Sequence, residues 1–123
     1  ALVTDAMRAA GMPPGDSVLG NRESGLKVIV EDGVAKLPDR SAFAGSVATA
    51  DRLIRTMINM AGVTLMEAVE MMSSTPARIM GLTDTKGSLV VGKDADILIF
   101  DNQINIKTTI VKGEIIYTSP ENQ

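Results

Sequence analysis

A chain of 123 residues can form one modest core but cannot close eight strand and helix pairs into a barrel. Its apolar fraction of 45% and charged fraction of 22% are those of an ordinary globular protein, and no run of about eighteen apolar residues offers a membrane span. Fifteen acidic against twelve basic residues give a net charge of -3, with neither sign gathered into a block that would attract a nucleic acid.

Ala1-Leu2-Val3-Thr4 reads as a short apolar strand with no turn or cap before it, as though a longer sequence had been entered partway. It lacks the basic start and long apolar run of a signal peptide. From Asp5 to Asn21 the residues Gly11, Pro13, Pro14, Gly15 and Gly20 interrupt any period, which predicts a long loop with room for one helical turn. Leu26 to Glu31 and Val34 to Leu37 are β-prone runs about Asp32-Gly33, a dipeptide that supplies the positive φ angles of a tight hairpin turn.

Pro38 to Ser46 is a second loop. From Ala48 the spacing turns helical, with Leu53, Ile54, Met57, Ile58 and Ala61 on one face and Gly62 as the stop. Thr64-Leu65-Met66-Glu67 matches a capping box and predicts a second helix from Leu65 to Ser73. Thr75-Pro76 reads as a third start, threonine capping and proline in the first helical position, with Ala77 to Met80 halted by Gly81. Turns at Lys86-Gly87-Ser88 and Gly92-Lys93 lead to strands at Ile97 to Phe100, Thr108 to Val111 and Ile115 to Tyr117, the last two joined through Lys112-Gly113. The change from helix-forming to strand-forming composition near Gly87 divides the chain into 1–86 and 87–123.

The sequence contains neither cysteine nor histidine. That removes disulfides, thiolate ligands, imidazole bases and the commonest zinc ligand from anything the chain builds alone, and the lack of cysteine fits a reducing cytoplasm. Asp5 stands where an apolar run meets a glycine and proline loop, the position at which parallel barrels carry catalytic groups, although an aspartate there is more often a turn or cap residue. Phe43-Ala44-Gly45 offers a glycine that lets backbone approach a ligand, or is simply a loop entering a helix that Ser46 or Thr49 caps. Arg8 reads as a solvated loop residue. Asp94 and Asp96 are spaced to point the same way from a strand, like a paired carboxylate site. Met57, Met60, Met66, Met71 and Met72 fall on helical segments and read as packing residues.

Taken in order, LVTDAMRAAGMPPGDSVLG, VIVEDGVAKL, FAGSVATADRLIRTMI, LMEAVEMMSSTPARIMGL, KGSLVVGKDADILIFD and TIVKGEIIY closely resemble the C-terminal portion of N-acetylglucosamine-6-phosphate deacetylases, a family of the amidohydrolase superfamily. The tail marks the superfamily, and the pairing of LVTDAMRAAGMPPG with FAGS is typical of the deacetylases. The resemblance implies an α/β fold class: the C-terminal part of a metal-dependent (β/α)8 TIM barrel over 1–86, its eighth strand ending at Val3-Thr4-Asp5, and the last strands of a small β-sandwich domain over 87–123. It implies Asp5 as the acid/base acting on a metal-bound water, and Phe43, Ala44 and Gly45 as contacts to the sugar.

The family's metal ligands are a glutamate and two histidines from earlier barrel strands. The resemblance therefore implies a divalent metal, zinc or similar, in the parent enzyme, no metal residue in this chain, and a chain inactive by itself. The resemblance also implies that Asp94 and Asp96 belong to the small β domain, away from catalysis. The implied partner is a small-molecule sugar phosphate rather than nucleic acid or membrane. Unpaired strand edges in 1–4 and 97–117 predict a homo-oligomer formed by dimerisation or strand swapping. Two other readings stand beside this one: a cyclic amidohydrolase or dipeptidase-like member of the superfamily, and a non-catalytic interaction module.

Overall fold

The computed structural model describes residues 1–120, which group into two compact units, Val3–Leu53 and Ala1–Leu2 with the chain from Ile54 onward. In the first unit β1 (Gly15–Leu19), β2 (Leu26–Glu31) and β3 (Val34–Lys36) form an antiparallel sheet in the order β1-β2-β3. Alternation along β2 places Val28 and Val30 in the core while Lys27 faces solvent. Asp32 at φ 52 and Gly33 at φ 72 close the β2–β3 hairpin as a two-residue turn between the paired Glu31 and Val34, as the dipeptide predicts.

Met7, Ala9, Val28, Val30, Ala35 and Ala44 make the buried cluster of this unit, with Leu19, Leu37 and Val47 packed against it. Residues 15–19, which the sequence places in a loop, are strand β1 instead. Gly15 through Leu19 pair with Val30 through Leu26, so the strand is imposed by its neighbour and not by its own β-propensity. The reversal between β1 and β2 needs Gly25, because a Cβ there would stand 2.3 Å from the Asn21 carbonyl oxygen and 2.4 Å from that of Leu19.

Residues 1–4, predicted as a strand, are not one. A strand exists through its ladder partners, and here the Leu2 N–H donates at 2.8 Å to the carbonyl of Met71, a helical residue.

In the second unit, α1 (Ala50–Ala61) contributes Ile54, which is buried with Ala68 and Ile104, and Met57, Ile58, Val63, Met72 and Phe100 pack on this cluster. α2 (Leu65–Met72) opens with the predicted capping box: the Glu67 N–H donates to Thr64 Oγ1 at 3.3 Å while the Thr64 N–H donates to Glu67 Oε2 at 2.7 Å. α3 (Ser74–Ile79) begins earlier than its Thr75-Pro76 signal. Ser73 holds the cap position, but its hydroxyl donates back to the Val69 carbonyl at 2.6 Å and caps nothing, and Pro76 sits in the first turn, where no N–H is needed. Gly81 ends α3 at φ 68, with the Leu82 N–H returning to the Ala77 carbonyl at 2.8 Å.

β4 (Ile97–Phe100), β5 (Ile106–Val111) and β6 (Glu114–Thr118) form a second antiparallel sheet with β5 in the centre. β5 starts two residues before the predicted Thr108, because the Asp101 carboxylate accepts the Gln103 and Asn105 N–H groups at 2.9 Å each and so folds a tight loop directly before it. Those bonds and the Asn105 side-chain amide hold the Asp101 carboxyl down to about 2. The chain is therefore an α/β protein with two antiparallel three-stranded sheets and intervening helices, and among the described residues no helix is long and apolar enough to cross a membrane.

Candidate functional site

Asp5 is exposed and sits in the left-handed region at φ 45, where its carboxylate engages no hydrogen bond or ion pair among the described residues. The residues after it anchor the position. Ala6 forms a parallel bridge with Ser46, the Met7 N–H donates to the Ser46 carbonyl at 2.8 Å, and the Met7 and Ala9 side chains are buried in the core of this unit. Ala10 and Met12 then donate to the Met7 and Ala9 carbonyls, so the segment turns sharply away from the sheet.

The Phe43–Gly45 segment is held from below by β3. Lys36 and Phe43 form an antiparallel bridge, and the Ala44 N–H donates to the Ala35 carbonyl at 2.9 Å, which buries Ala44 in the same core as Met7. Phe43 is forced the other way and is 78% exposed, an unusual state for an aromatic ring. Gly45 lies at φ 99, a backbone conformation that favours glycine, with Leu19 Cδ1 and Met7 Sδ at contact distance from where a Cβ would stand. The Ala6–Ser46 bridge thus sets Asp5 beside the segment that carries Phe43, Ala44 and Gly45. Two segments far apart in sequence, one with Asp5 and one with Phe43 to Gly45, are thereby joined.

The remaining candidates have other partners. The Arg8 guanidinium donates to the Gly20 carbonyl, so it ties the glycine-rich loop together and is not simply solvated. Ser46 Oγ accepts the Ala48 N–H at 3.1 Å, a local turn two residues short of α1. Asp94 and Asp96 converge on Lys86 Nζ at 2.8 and 2.5 Å, and the second oxygen of Asp96 accepts the Lys112 N–H at 2.9 Å. The Lys86 ammonium and then the Lys112 N–H hold the Asp96 carboxyl below its ordinary range, and Asp94 and Asp96 in turn raise Lys86. Asp96 fastens the Lys112-Gly113 hairpin turn of the second sheet, and Lys86 ties Asp94 to it.

Among the described residues no group of three or more histidine, cysteine, aspartate or glutamate side chains comes together to hold a metal ion. Two residues without local sequence marks, Glu31 and Arg40, meet in a two-pronged ion pair just before Phe43. Their separation of nine positions matches no helical or strand period, so only the closure of the hairpin and the loop after it brings them together.

Residues 19–116 match the amidohydrolase family. The chain is 35% identical over 120 residues to N-acetylglucosamine-6-phosphate deacetylase of Rattus norvegicus, covering 98% of this chain and 28% of that protein. It is 36% identical over 114 residues to N-acetylgalactosamine-6-phosphate deacetylase of Escherichia coli O157:H7, covering 93% of this chain and 29% of that protein. The crystal structure of N-acetylglucosamine-6-phosphate deacetylase from Pasteurella multocida matches with a TM-score of 0.84 at 30% identity, over 95% of this chain and 29% of that one. The chain thus spans less than a third of the length of these relatives, and its backbone follows the Pasteurella multocida structure over 95% of its own length.

Proposed function

The chain belongs to the amidohydrolase family, and from that premise we propose that it serves as the C-terminal portion of a longer enzyme that hydrolyses the N-acetyl amide of N-acetylglucosamine 6-phosphate. The products are glucosamine 6-phosphate and acetate. Residues 1–86 supply the end of a (β/α)8 barrel, with Ala1–Thr4 as a strand whose ladder partners lie on other residues of the longer polypeptide, and 87–123 supply strands of a small β-sandwich domain. The observation that carries the proposal is the exposed carboxylate of Asp5, unbonded among the described residues and one position from the Ala6–Ser46 bridge that joins its segment to the one containing Phe43, Ala44 and Gly45.

In this role Asp5 carries one proton through the reaction. As the oxygen of water bonds to the amide carbon, the carboxylate takes a proton from that water. As the C–N bond breaks, the proton passes to the departing sugar amine, and acetate is left. Phe43, Ala44 and Gly45 lie against the sugar, the backbone at Gly45 approaching it closely because no side chain intervenes. The amidohydrolase family is generally metal-dependent, and among the described residues no three histidine, cysteine, aspartate or glutamate side chains come together as a ligand set. The divalent metal, zinc or similar, belongs with residues of the longer polypeptide.

The relative named for the galactosamine epimer makes N-acetylgalactosamine 6-phosphate a second reading of the substrate. Both are tested by acetate release from the two acetylated sugar phosphates and from a cyclic amide, using the longer polypeptide that carries these residues. Turnover of the glucosamine compound supports the proposal, and turnover of the galactosamine epimer alone supports the second reading. Turnover of the cyclic amide alone, or of none of the three, contradicts it.

A further inference from the structure

The segment that ends at Phe43 is a short loop with an unusual fastening. The Leu37 N–H donates to the Ala42 carbonyl at 2.9 Å and the Arg40 N–H donates to the Leu37 carbonyl at 2.8 Å, closing residues 37–42 on themselves. Asp39 Oδ1 accepts the N–H and the hydroxyl of Ser41 at 3.0 and 2.7 Å. Arg40, between them, lies at φ 61, a conformation that a side chain with a Cβ adopts only where its surroundings hold it.

What holds it is Glu31 at the end of β2. Arg40 Nε donates to Glu31 Oε1 at 2.8 Å and Nη2 donates to Oε2 at 3.0 Å, a planar fork that fixes orientation as well as distance. Nη1 faces the Pro38 carbonyl at 3.4 Å, so all three nitrogens of the guanidinium are directed at protein oxygens and not at a free anion. Lys36 Nζ lies 3.2 Å from Glu31 Oε1 and 3.0 Å from Asp32 Oδ2, which keeps the Glu31 carboxylate in place for the fork. The fork thus ties the apex of the loop to the rigid hairpin, and two residues beyond that loop's last backbone bond comes Ala44, seated on Ala35.

Resting on the functional reading above, we propose that Glu31 and Arg40 are positioning residues for substrate binding: their ion pair sets the place of the Phe43–Gly45 segment against the sugar phosphate. Neither touches the reacting atoms. Their loss therefore weakens binding and leaves the proton transfer at Asp5 intact.

The test combines kinetics of the longer polypeptide with amide hydrogen exchange of the chain. Arg40→Met and Glu31→Gln each raise KM about fivefold with kcat within a factor of about two, Arg40→Lys raises it less, and the double variant is no worse than the poorer single one. In the chain, Arg40→Met speeds exchange at the Leu37 and Ala44 N–H groups while those of Val28 and Val30 keep their protection. An unchanged KM, additive effects in the double variant, or a fall in kcat matching the fall in kcat/KM overturns the inference. Unchanged exchange at Leu37 and Ala44 also overturns it. Faster exchange together with absent hydrolysis of any acetylated sugar phosphate supports the fastening and sinks the functional reading instead.

Discussion

Replacing Val28 with alanine removes two methyl groups from a side chain that is 2% exposed, between Met7, Val30, Ala35 and Ala44 in the cluster beneath Asp5 and Phe43. Transfer of the lost groups is worth about 0.8 kcal/mol each, and the cavity left in a partly relaxing core brings the expected loss to about 2–3 kcal/mol. For a unit this small, with a urea slope of about 1 kcal/mol/M, the midpoint should fall by about 2–3 M. The assay is a urea titration followed through the amide resonances of Val30 and Ala35, which report this unit alone. Val3→Ala is the control, since Val3 is 74% exposed and its loss should change stability by less than about 0.5 kcal/mol. If both substitutions shift the midpoint equally, the core beneath the site is not where the structure puts it.

Asp101 gives a pH prediction with a definite sign. Its carboxyl lies at about 2 in the folded chain against an ordinary 3.8, so its contribution to stability is fully present above the higher value and is lost as pH falls from there toward the lower. Thermal melts of the wild type and Asp101→Asn should differ at pH 6 and converge near pH 2, and a gap that persists at low pH would count against the loop geometry. Among the described residues the two outer strands of the second sheet, β4 and β6, pair with no further strand, and Ile115 and Ile116 on β6 are exposed. Light scattering of the chain at working concentration should give a mass above that of a monomer, and a Lys substitution at Ile116 should reduce it.

Features whose cause is local were legible in the sequence. Asp32-Gly33 makes its turn because both residues accept positive φ, and Thr64 with Glu67 caps α2 because donor and acceptor lie within one helical turn. Features set by distant partners were not. Gly15–Leu19 becomes a strand only against β2, and Ala1–Thr4 fails to become one for want of a neighbouring strand. α3 starts after Ser73, whose hydroxyl is committed to Val69 and gives no cap signal, and so ahead of the predicted Thr75. The site divides in the same way. Asp5 alone reads as a turn residue, and only the ordered likeness across the chain raised it to a candidate. Its link to the segment of Phe43 follows from the Ala6–Ser46 bridge, a contact between residues forty positions apart in sequence that no local pattern encodes. The Glu31–Arg40 fork is likewise a product of loop closure.

Of all these, the role of Asp5 is the claim on which the account turns. The direct measurement is kcat for acetate release from N-acetylglucosamine 6-phosphate by the longer polypeptide and its Asp5→Asn variant, which keeps the size and the left-handed tolerance of the side chain but cannot carry the proton. The account predicts a loss of about 10²–10⁴-fold in kcat with KM little changed. A variant that keeps wild-type kcat would contradict it.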